Sequence, residues 1–426
     1  MSNSRRVFTI VENFDTLNIS NDGAQGLTHE EAEALEQHRR QQNYSSRHFV
    51  WGYNSLRILD YVGFIQCETF IIEILPKIPG ANHTMMRRAL LNMLSESNLL
   101  PVQVNPIAHY ELFDEPLPEI LGYVYANELA AALRQGPTLR YQTLRATSPV
   151  LKGRLLVNQY IQQQMSRNQG HHAVCEYEER IVDHDLNRLF LSTNHLLHRM
   201  CEKMETQQLL RQTTHLLDDV TYVTWTKEQI QSVTLNRTEQ RFYGALELSK
   251  QIMFGHSTEK VSDSHLSISL LFDMPRVYEA YIGSLLRYSI ANYSLMNRKT
   301  TYLLHRAHQK NVLALRPDFF ISGPNGLLIL DTKWKRLVQQ DTYSDVKRND
   351  IYQMYAYLTR FTNVSTVILL YPLFDHECVA LPDDVWHLED QPSRQIRIHR
   401  INLLDKQQTI KQLNEILNYG TSSISF

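Results

Sequence analysis

The sequence predicts an α+β chain of several domains: a mixed strand-and-helix N-terminal region, a mainly helical middle and a C-terminal α/β core. Three observations predict it. A length of 426 residues with 43% hydrophobic content suits two or three packed cores. The apolar pattern changes from short strand-like runs before residue 80 to helical spacing between Leu121 and Lys250. It returns to strand-length runs after residue 265. A polar stretch, Gly255 to Ser264, separates the last two regimes. The expected boundaries are residues 1–120, 121–262 and 263–426.

Taken in order, Thr28-His-Glu-Glu31 is a capping box that opens a polar helix running to Gln42. Tyr61 to Gln66 and Thr69 to Leu75 read as strands, closed by Pro76-Lys-Ile-Pro-Gly80. Helical signals begin near Thr84, and Asn127–Leu133 and Leu186–Met204 are amphipathic. Asp273 is placed to cap a helix with Pro275 in its first turn, running to about Tyr293. Strands are expected over Thr300–His305, Val312–Ile321 and Leu327–Lys333, then a helix over Asp345–Phe361 and a strand over Val364–Tyr371 stopped by Pro372. The last strand–helix–strand step predicts a parallel crossover.

The most informative stretch lies in this core. Two apolar runs flank the turn-forming Ser322–Gly326, the pattern of a β-hairpin. A turn centred on Pro324-Asn325 pairs residue 318 with 331; a centre one residue later pairs it with 333. Either register brings Asp318 and Asp331 to one end of adjacent strands, and Asp331 and Lys333 share a face. Two carboxylates are the natural ligands of a hard cation such as Mg²⁺. An adjacent ammonium neutralises charge developing on a phosphate or orients the attacking water. Gln353 and Tyr357 lie four apart on one face of the following helix, with Asp350 joining that face. Glu279, on the earlier helix, is a further candidate metal ligand. Trp334, Lys335, Arg336, Lys347 and Arg348 are candidates for phosphate contact.

Composition narrows the function classes. A net charge of -2 and a pI near 6.8 exclude a chain that binds nucleic acid by overall charge. From Arg298 to Arg360, however, eleven Lys and Arg stand against five Asp, a local excess that suits a phosphate backbone. The four cysteines, Cys67, Cys175, Cys201 and Cys378, form no CxxC pair, which fits a reducing cytoplasm. His171, His172 and Cys175 lack a second ligand pair at zinc-site spacing. No Walker A sequence is present, so any nucleotide hydrolysis belongs to a partner. The longest apolar stretch, Val364–Phe374, is too short to span a bilayer.

Asp318 with Asp331-x-Lys333, followed by Gln353-x-x-x-Tyr357, resembles the PD-(D/E)xK nuclease superfamily in its Gln-x-x-x-Tyr branch. More narrowly, several segments are similar to the McrC family of nuclease subunits from McrBC-type modification-dependent restriction systems. They are Tyr61-Val-Gly-Phe64, Glu73-Ile-Leu-Pro-Lys-Ile78, Gly153-Arg154, Cys175-Glu-Tyr-Glu178, Asp185-Leu-Asn-Arg188 and Asp350-Ile-Tyr-Gln-Met-Tyr-Ala-Tyr357. The resemblance implies a restriction-endonuclease-like C-terminal core with Asp318, Asp331, Lys333, Gln353 and Tyr357 in catalytic positions and Mg²⁺ as cofactor. It further implies a hexameric AAA+ GTPase partner, McrB, into whose ring the N-terminal region inserts and whose GTP hydrolysis it stimulates. Double-stranded DNA is the implied substrate, with the partner reading modified cytosine. The rival readings are a stand-alone repair or recombination nuclease and a non-catalytic adaptor that only activates an AAA+ motor.

Overall fold

In the computed structural model, the described residues are 5–21, 23, 26–78, 80–101, 110–162, 172–256, 267–288, 293–296, 300–306, 309–324, 326–337, 346–373 and 384–418. The chain divides into two compact units, one of Met1–Leu117 with Val261–Phe426 and one of Pro118–Lys260. The N-terminal region and the C-terminal core, expected as separate domains, therefore share a unit.

The chain opens with β1 (Arg6–Val11), β2 (Leu17–Ile19), β3 (Gly26–Leu27), α1 (His29–Gln41), β4 (Phe49–Trp51), β5 (Ser55–Ile58), β6 (Tyr61–Gln66), β7 (Phe70–Leu75) and α2 (His83–Glu96). The capping box forms as its sequence predicts: Thr28 Oγ1 accepts from Glu31 N, and Glu31 Oε2 accepts from Thr28 N at 2.9 Å. Strands β2 to β5 make a small sheet in the order β3-β2-β5-β4. Every residue of β7 is buried, including Glu73. That carboxylate is fully used: it accepts from Arg87 Nε (2.8 Å) and Nη2 (2.6 Å), Leu117 N (2.8 Å) and Thr9 Oγ1 (2.9 Å). Such saturation is what makes a buried ion tolerable.

The second unit holds most of α3 (Leu117–Leu133), then β8 (Arg140–Ser148), β9 (Arg154–Leu155), α4 (Val157–Tyr160), β10 (Ala173–Ile181), α5 (Asp185–Met200), α6 (Met204–His215), α7 (Lys227–Ser232) and α8 (Tyr243–Gly255). The unit is mainly helical, but it also holds the sheet β8-β10-β9, which the sequence does not predict. Its long antiparallel pair, β8 and β10, is solvated over much of both faces, so the sequence lacks the apolar alternation that betrays a half-buried strand. Cross-strand pairs hold it instead: Arg145 to Glu176 at 2.7 Å, and Arg180 stacked over Tyr141 at 5.1 Å. The expected helix over Leu186–Met204 is broken at Cys201-Glu202-Lys203, where Glu202 N donates to Glu119. His172 and buried Cys175 lie at the start of β10; His171, Cys378 and most of the expected linker lie outside the described residues.

The chain continues with β11 (Ile268–Asp273), α9 (Met274–Tyr288), β12 (Ser294–Met296), β13 (Thr301–Arg306), β14 (Gln309–Leu315), β15 (Phe319–Gly323), β16 (Gly326–Thr332), α10 (Arg348–Arg360), β17 (Val364–Pro372), β18 (Asp384–His387), β19 (Gln395–Ile401) and α11 (Lys406–Asn418). Strand β11 completes the sheet β1-β7-β6-β11, pairing antiparallel with β6. Gly63, at φ 125°, makes room: a Cβ there would meet Leu270 O at 2.0 Å. Asp273 caps α9, its Oδ1 accepting from Arg276 N at 3.1 Å. The six-stranded sheet runs β12-β15-β16-β17-β19-β18, with β16, β17 and β19 mutually parallel. Helix α10 makes the crossover between β16 and β17 and packs Met354, Tyr357 and Leu358 with Ile329, Val367, Leu369 and Tyr371 in one core. The single strand expected over Val312–Ile321 is two, β14 and β15, in different sheets. Pro317 lies between them and has no N–H to donate to a ladder.

Candidate active site

The site grows out of the hairpin β15–β16. Phe319 pairs with Leu330 and Gly323 with Gly326, the register that sets residue 318 opposite residue 331 rather than 333. Phe320 and Ile329, directly opposite one another, both face the core under α10. Side chains alternate along a strand, so Asp318, Asp331 and Lys333 project on that same face, at the end where β15 begins and β16 finishes. The parallel neighbour β17 fixes this end: Thr332 pairs with Leu370, and Lys333 N donates to Leu370 O at 3.0 Å.

The side chains form a connected group. Asp318 Oδ2 accepts from Thr332 N at 2.8 Å and from Thr332 Oγ1 at 2.7 Å, which locks its carboxylate across the hairpin. Sequence reasoning misses Thr332; a hydroxyl residue between Asp331 and Lys333 is its only signal. Asp331, 1% exposed, forms an ion pair with Lys333 through Oδ2. Its Oδ1 accepts from Tyr357 Oη at 3.3 Å, and Tyr357 Oη accepts from Gln353 Nε2 at 2.7 Å. The helix face Gln353–Tyr357 thus reaches the strand carboxylate, as its four-residue spacing predicts.

The electrostatics are those of crowded anions. Burial, and then the neighbouring Asp318 charge, push the Asp331 carboxyl up to about 6, against the opposing pull of Lys333 and Tyr357. Burial and the charge of Asp331 also hold the Tyr357 hydroxyl well above its ordinary range, so it stays a donor. Two acidic groups converge with a single half-shielded ammonium beside them. That donor set suits a small hard dication, which would offset both the burial and the Asp318 charge that raise Asp331.

Other candidates fall elsewhere. Among the described residues no group of three or more His, Cys, Asp or Glu side chains is placed to share an ion. Glu279, half-buried on α9, therefore does not complete a triad with Asp318 and Asp331. Lys335 is committed to Asp350, with Nζ 2.8 and 2.9 Å from its two oxygens, and Tyr371 Oη also donates to Asp350 at 3.2 Å. Asp350 is thus a helix-docking residue, and Lys335 its counter-ion. Trp334 is buried, not a surface phosphate contact. Arg336 carries interactions of its own. Lys347 and Arg348 stand exposed at the start of α10.

No helix among the described residues is long and apolar enough to cross a membrane. A family profile described as "McrBC 5-methylcytosine restriction system component" matches residues 56–372. No curated protein matches the chain in sequence. Among solved structures, a chain from the tetradecameric assembly of Thermococcus gammatolerans McrB AAA+ hexamers with bound McrC superposes with a TM-score of 0.75 at 17% identity. That match covers 96% of this chain and 100% of the other. A chain of the Thermococcus gammatolerans McrBC complex superposes with a TM-score of 0.55 at 20% identity, covering 68% and 89%.

Proposed function

The chain belongs to the McrBC 5-methylcytosine restriction system component family, and from that membership we propose that it is the Mg²⁺-dependent DNA-cleaving subunit of a two-component restriction complex. The observation that carries this reading is the convergence of Asp318, Asp331 and Lys333 at one end of β15–β16, backed by Tyr357 and Gln353. In this reading the C-terminal core is a PD-(D/E)xK nuclease core, with the parallel crossover β16–α10–β17 as its frame.

Asp318 and Asp331 would hold the ion, and two protein carboxylates suffice because Mg²⁺ retains several of its waters. When bound, the ion polarises the scissile phosphate and lowers the pKa of a coordinated water. Thr332 holds Asp318 in one orientation. Tyr357, kept protonated, holds Oδ1 of Asp331 and leaves Oδ2 toward Lys333. The Lys333 ammonium, partly exposed beside that oxygen, neutralises charge that builds on the phosphate as the water attacks and the 3′-oxygen departs. Lys347 and Arg348 add phosphate contacts at the α10 start.

The partner in this reading is a McrB-like AAA+ GTPase, consistent with the assemblies in which the structural neighbours were solved. The region before about residue 262 engages its ring and stimulates GTP hydrolysis, and the partner supplies the choice of modified site. The test is plasmid cleavage with Mg²⁺, with and without the partner, GTP and cytosine methylation. The expected result is poor, unselective cutting by the chain alone and site-dependent cutting by the complex, abolished by Asp331→Ala. Efficient site-specific cutting by the chain alone, or full cutting by Asp331→Ala, rejects the reading.

A further inference from the structure

Directly behind the candidate site lies a second buried group of charges that the chemistry above does not use. Glu12, one residue beyond β1, is completely buried, and its N–H donates to Leu75 O at 3.0 Å. Its Oε1 accepts from the indole Nε1–H of Trp334 at 2.5 Å, while Oε2 has no side-chain donor. Lys77, two residues beyond β7 and also buried, lies 5.6 Å from the centroid of the Trp334 ring and donates to Trp334 O at 3.4 Å. The indole also meets Tyr278 of α9, ring centroids 5.4 Å apart. Trp334 immediately follows Lys333.

This cluster is costly as a packing device. Glu73, on the same sheet, shows what a satisfied buried carboxylate looks like, with four hydrogen bonds. Glu12 has one side-chain donor and otherwise only the Lys77 backbone beside it, and its burial raises its pKa to about 7, against the pull of Lys77 and Trp334. A buried polar group left partly unsatisfied calls for an account beyond packing. Its placement supplies one. The backbone is anchored at Lys333 N by β17, and beyond it both the indole N–H and the carbonyl of Trp334 are gripped by residues from the ends of β1 and β7. Lys335 N then turns back onto Lys333 O at 3.0 Å. The segment that carries Lys333 therefore has little freedom.

We propose that Glu12 and Lys77 are positioning residues for the cleavage reaction: through Trp334 they fix the chain where it leaves β16, and with it the direction of the Lys333 side chain. The proposal rests on the nuclease reading. It makes the first sheet of the protein part of the catalytic apparatus, although no atom of Glu12 or Lys77 touches substrate. A misplacement on the order of 1 Å at a reacting group can cost roughly a hundredfold in rate, so even a modest loosening of Lys333 is measurable.

The test uses the full-length chain with its AAA+ partner, GTP and Mg²⁺, measuring single-turnover cleavage over a range of DNA concentration. Trp334→Phe keeps an aromatic ring, though a smaller one, and removes the N–H; Glu12→Leu removes the acceptor while leaving the indole whole; Glu12→Gln restores a carbonyl oxygen for the indole. Trp334→Phe and Glu12→Leu are expected to lower the rate at saturating DNA roughly tenfold or more with an unchanged half-saturation concentration. The double variant should be no slower than the worse single, and Glu12→Gln should recover most of the rate. Unchanged rates in the two single variants, a loss confined to DNA affinity, or no recovery with Glu12→Gln overturns the proposal. Should Trp334→Phe or Glu12→Leu fail to fold by circular dichroism, Lys77→Met decides, since it keeps the apolar stem and removes the ammonium; an unchanged rate there overturns the proposal. Wild type and Asp331→Ala are run alongside. Cleavage absent from wild type, or present in Asp331→Ala, defeats the nuclease reading itself and is distinct from normal cutting by the Glu12 and Trp334 variants.

Discussion

Replacing Asp331 by Asn separates what the site does from what it costs. The carboxyl is 1% exposed, and its pKa rises from 3.8 to about 6 because burial and Asp318 together outweigh Lys333. A carboxyl whose folded-state pKa is raised favours folding below its unfolded pKa, and that advantage is lost as pH climbs through the folded value. The ionised side chain thus costs stability above about pH 6 and nothing below about pH 4. A displacement of about two units sets a ceiling of roughly 3 kcal/mol. The attraction of Lys333 is already inside that figure, and relaxation of the groups around the charge recovers only part of the ceiling, so a gain of roughly 1 kcal/mol is expected at pH 8. In a unit of this size that is a rise of about 2 °C in melting temperature without divalent ions, shrinking toward zero at pH 4. Mg²⁺ should stabilise wild type and not Asp331→Asn, by about 1.4 kcal/mol at ten times its dissociation constant. Cleavage should fall by roughly a thousandfold or more, since one of two ligands is neutralised. Thermal unfolding at pH 4, 6 and 8, with and without Mg²⁺, and plasmid cleavage by the assembled complex check this. An Asp331→Asn variant less stable than wild type at pH 8, or one cutting at the wild-type rate, would refute the electrostatic account of the site.

Tyr357→Phe removes the donor to Asp331 Oδ1 and the acceptor for Gln353; it should cost about 1 kcal/mol of stability and move the acidic limb of the cleavage–pH profile to higher pH. Because Lys347 and Arg348 are exposed, the double alanine substitution should weaken DNA binding uniformly across sequences and reduce the slope of log affinity against log salt by about 2, read from a salt titration. Lys335→Ala should leave that slope unaltered, because its ammonium is held by Asp350. Arg87→Ala strands the buried Glu73 carboxylate and should destabilise by about 3–5 kcal/mol, measured by denaturant unfolding.

The local parts of this architecture are legible in the residues. The turn chemistry of Ser322–Gly326 sets the register that aligns Asp318 with Asp331, and the four-residue step from Gln353 to Tyr357 sets the face that meets them. Thr28-x-x-Glu31 and Asp273 mark true helix starts because caps are short-range chemistry. What escapes depends on partners far away in sequence. Trp334 reads as a surface residue in a basic run until Glu12 and Lys77 arrive beside it. Lys335 reads as a phosphate contact until Asp350 claims it. The antiparallel pair β8 and β10, stabilised by Arg145–Glu176 and Arg180–Tyr141, carries no periodic apolar signal. The chain divides between Lys260 and Val261, beside the change in apolar pattern at residue 262, but β11 beyond that point pairs with β6, and this long-range pairing, which puts the first and last parts in one unit, leaves no local signal.

That pairing has a consequence for how the protein is made. Strand β6 finds its neighbour β11 about two hundred residues later, and His38 and Tyr44 find Ser269 at 2.7 and 3.0 Å. At a synthesis rate of about 5–20 residues per second, the interval between the two strands lasts on the order of 10–40 s. Throughout it the edge of β6, buried along nearly its whole length in the finished molecule, has its hydrogen-bonding groups unpaired. Residues 118–260 emerge in that interval and form a compact unit. The nascent chain therefore carries an open strand edge for many seconds while an entire unit is completed. Pairing of such high sequence separation is intrinsically slow, so yield of folded protein should be limited at this closure.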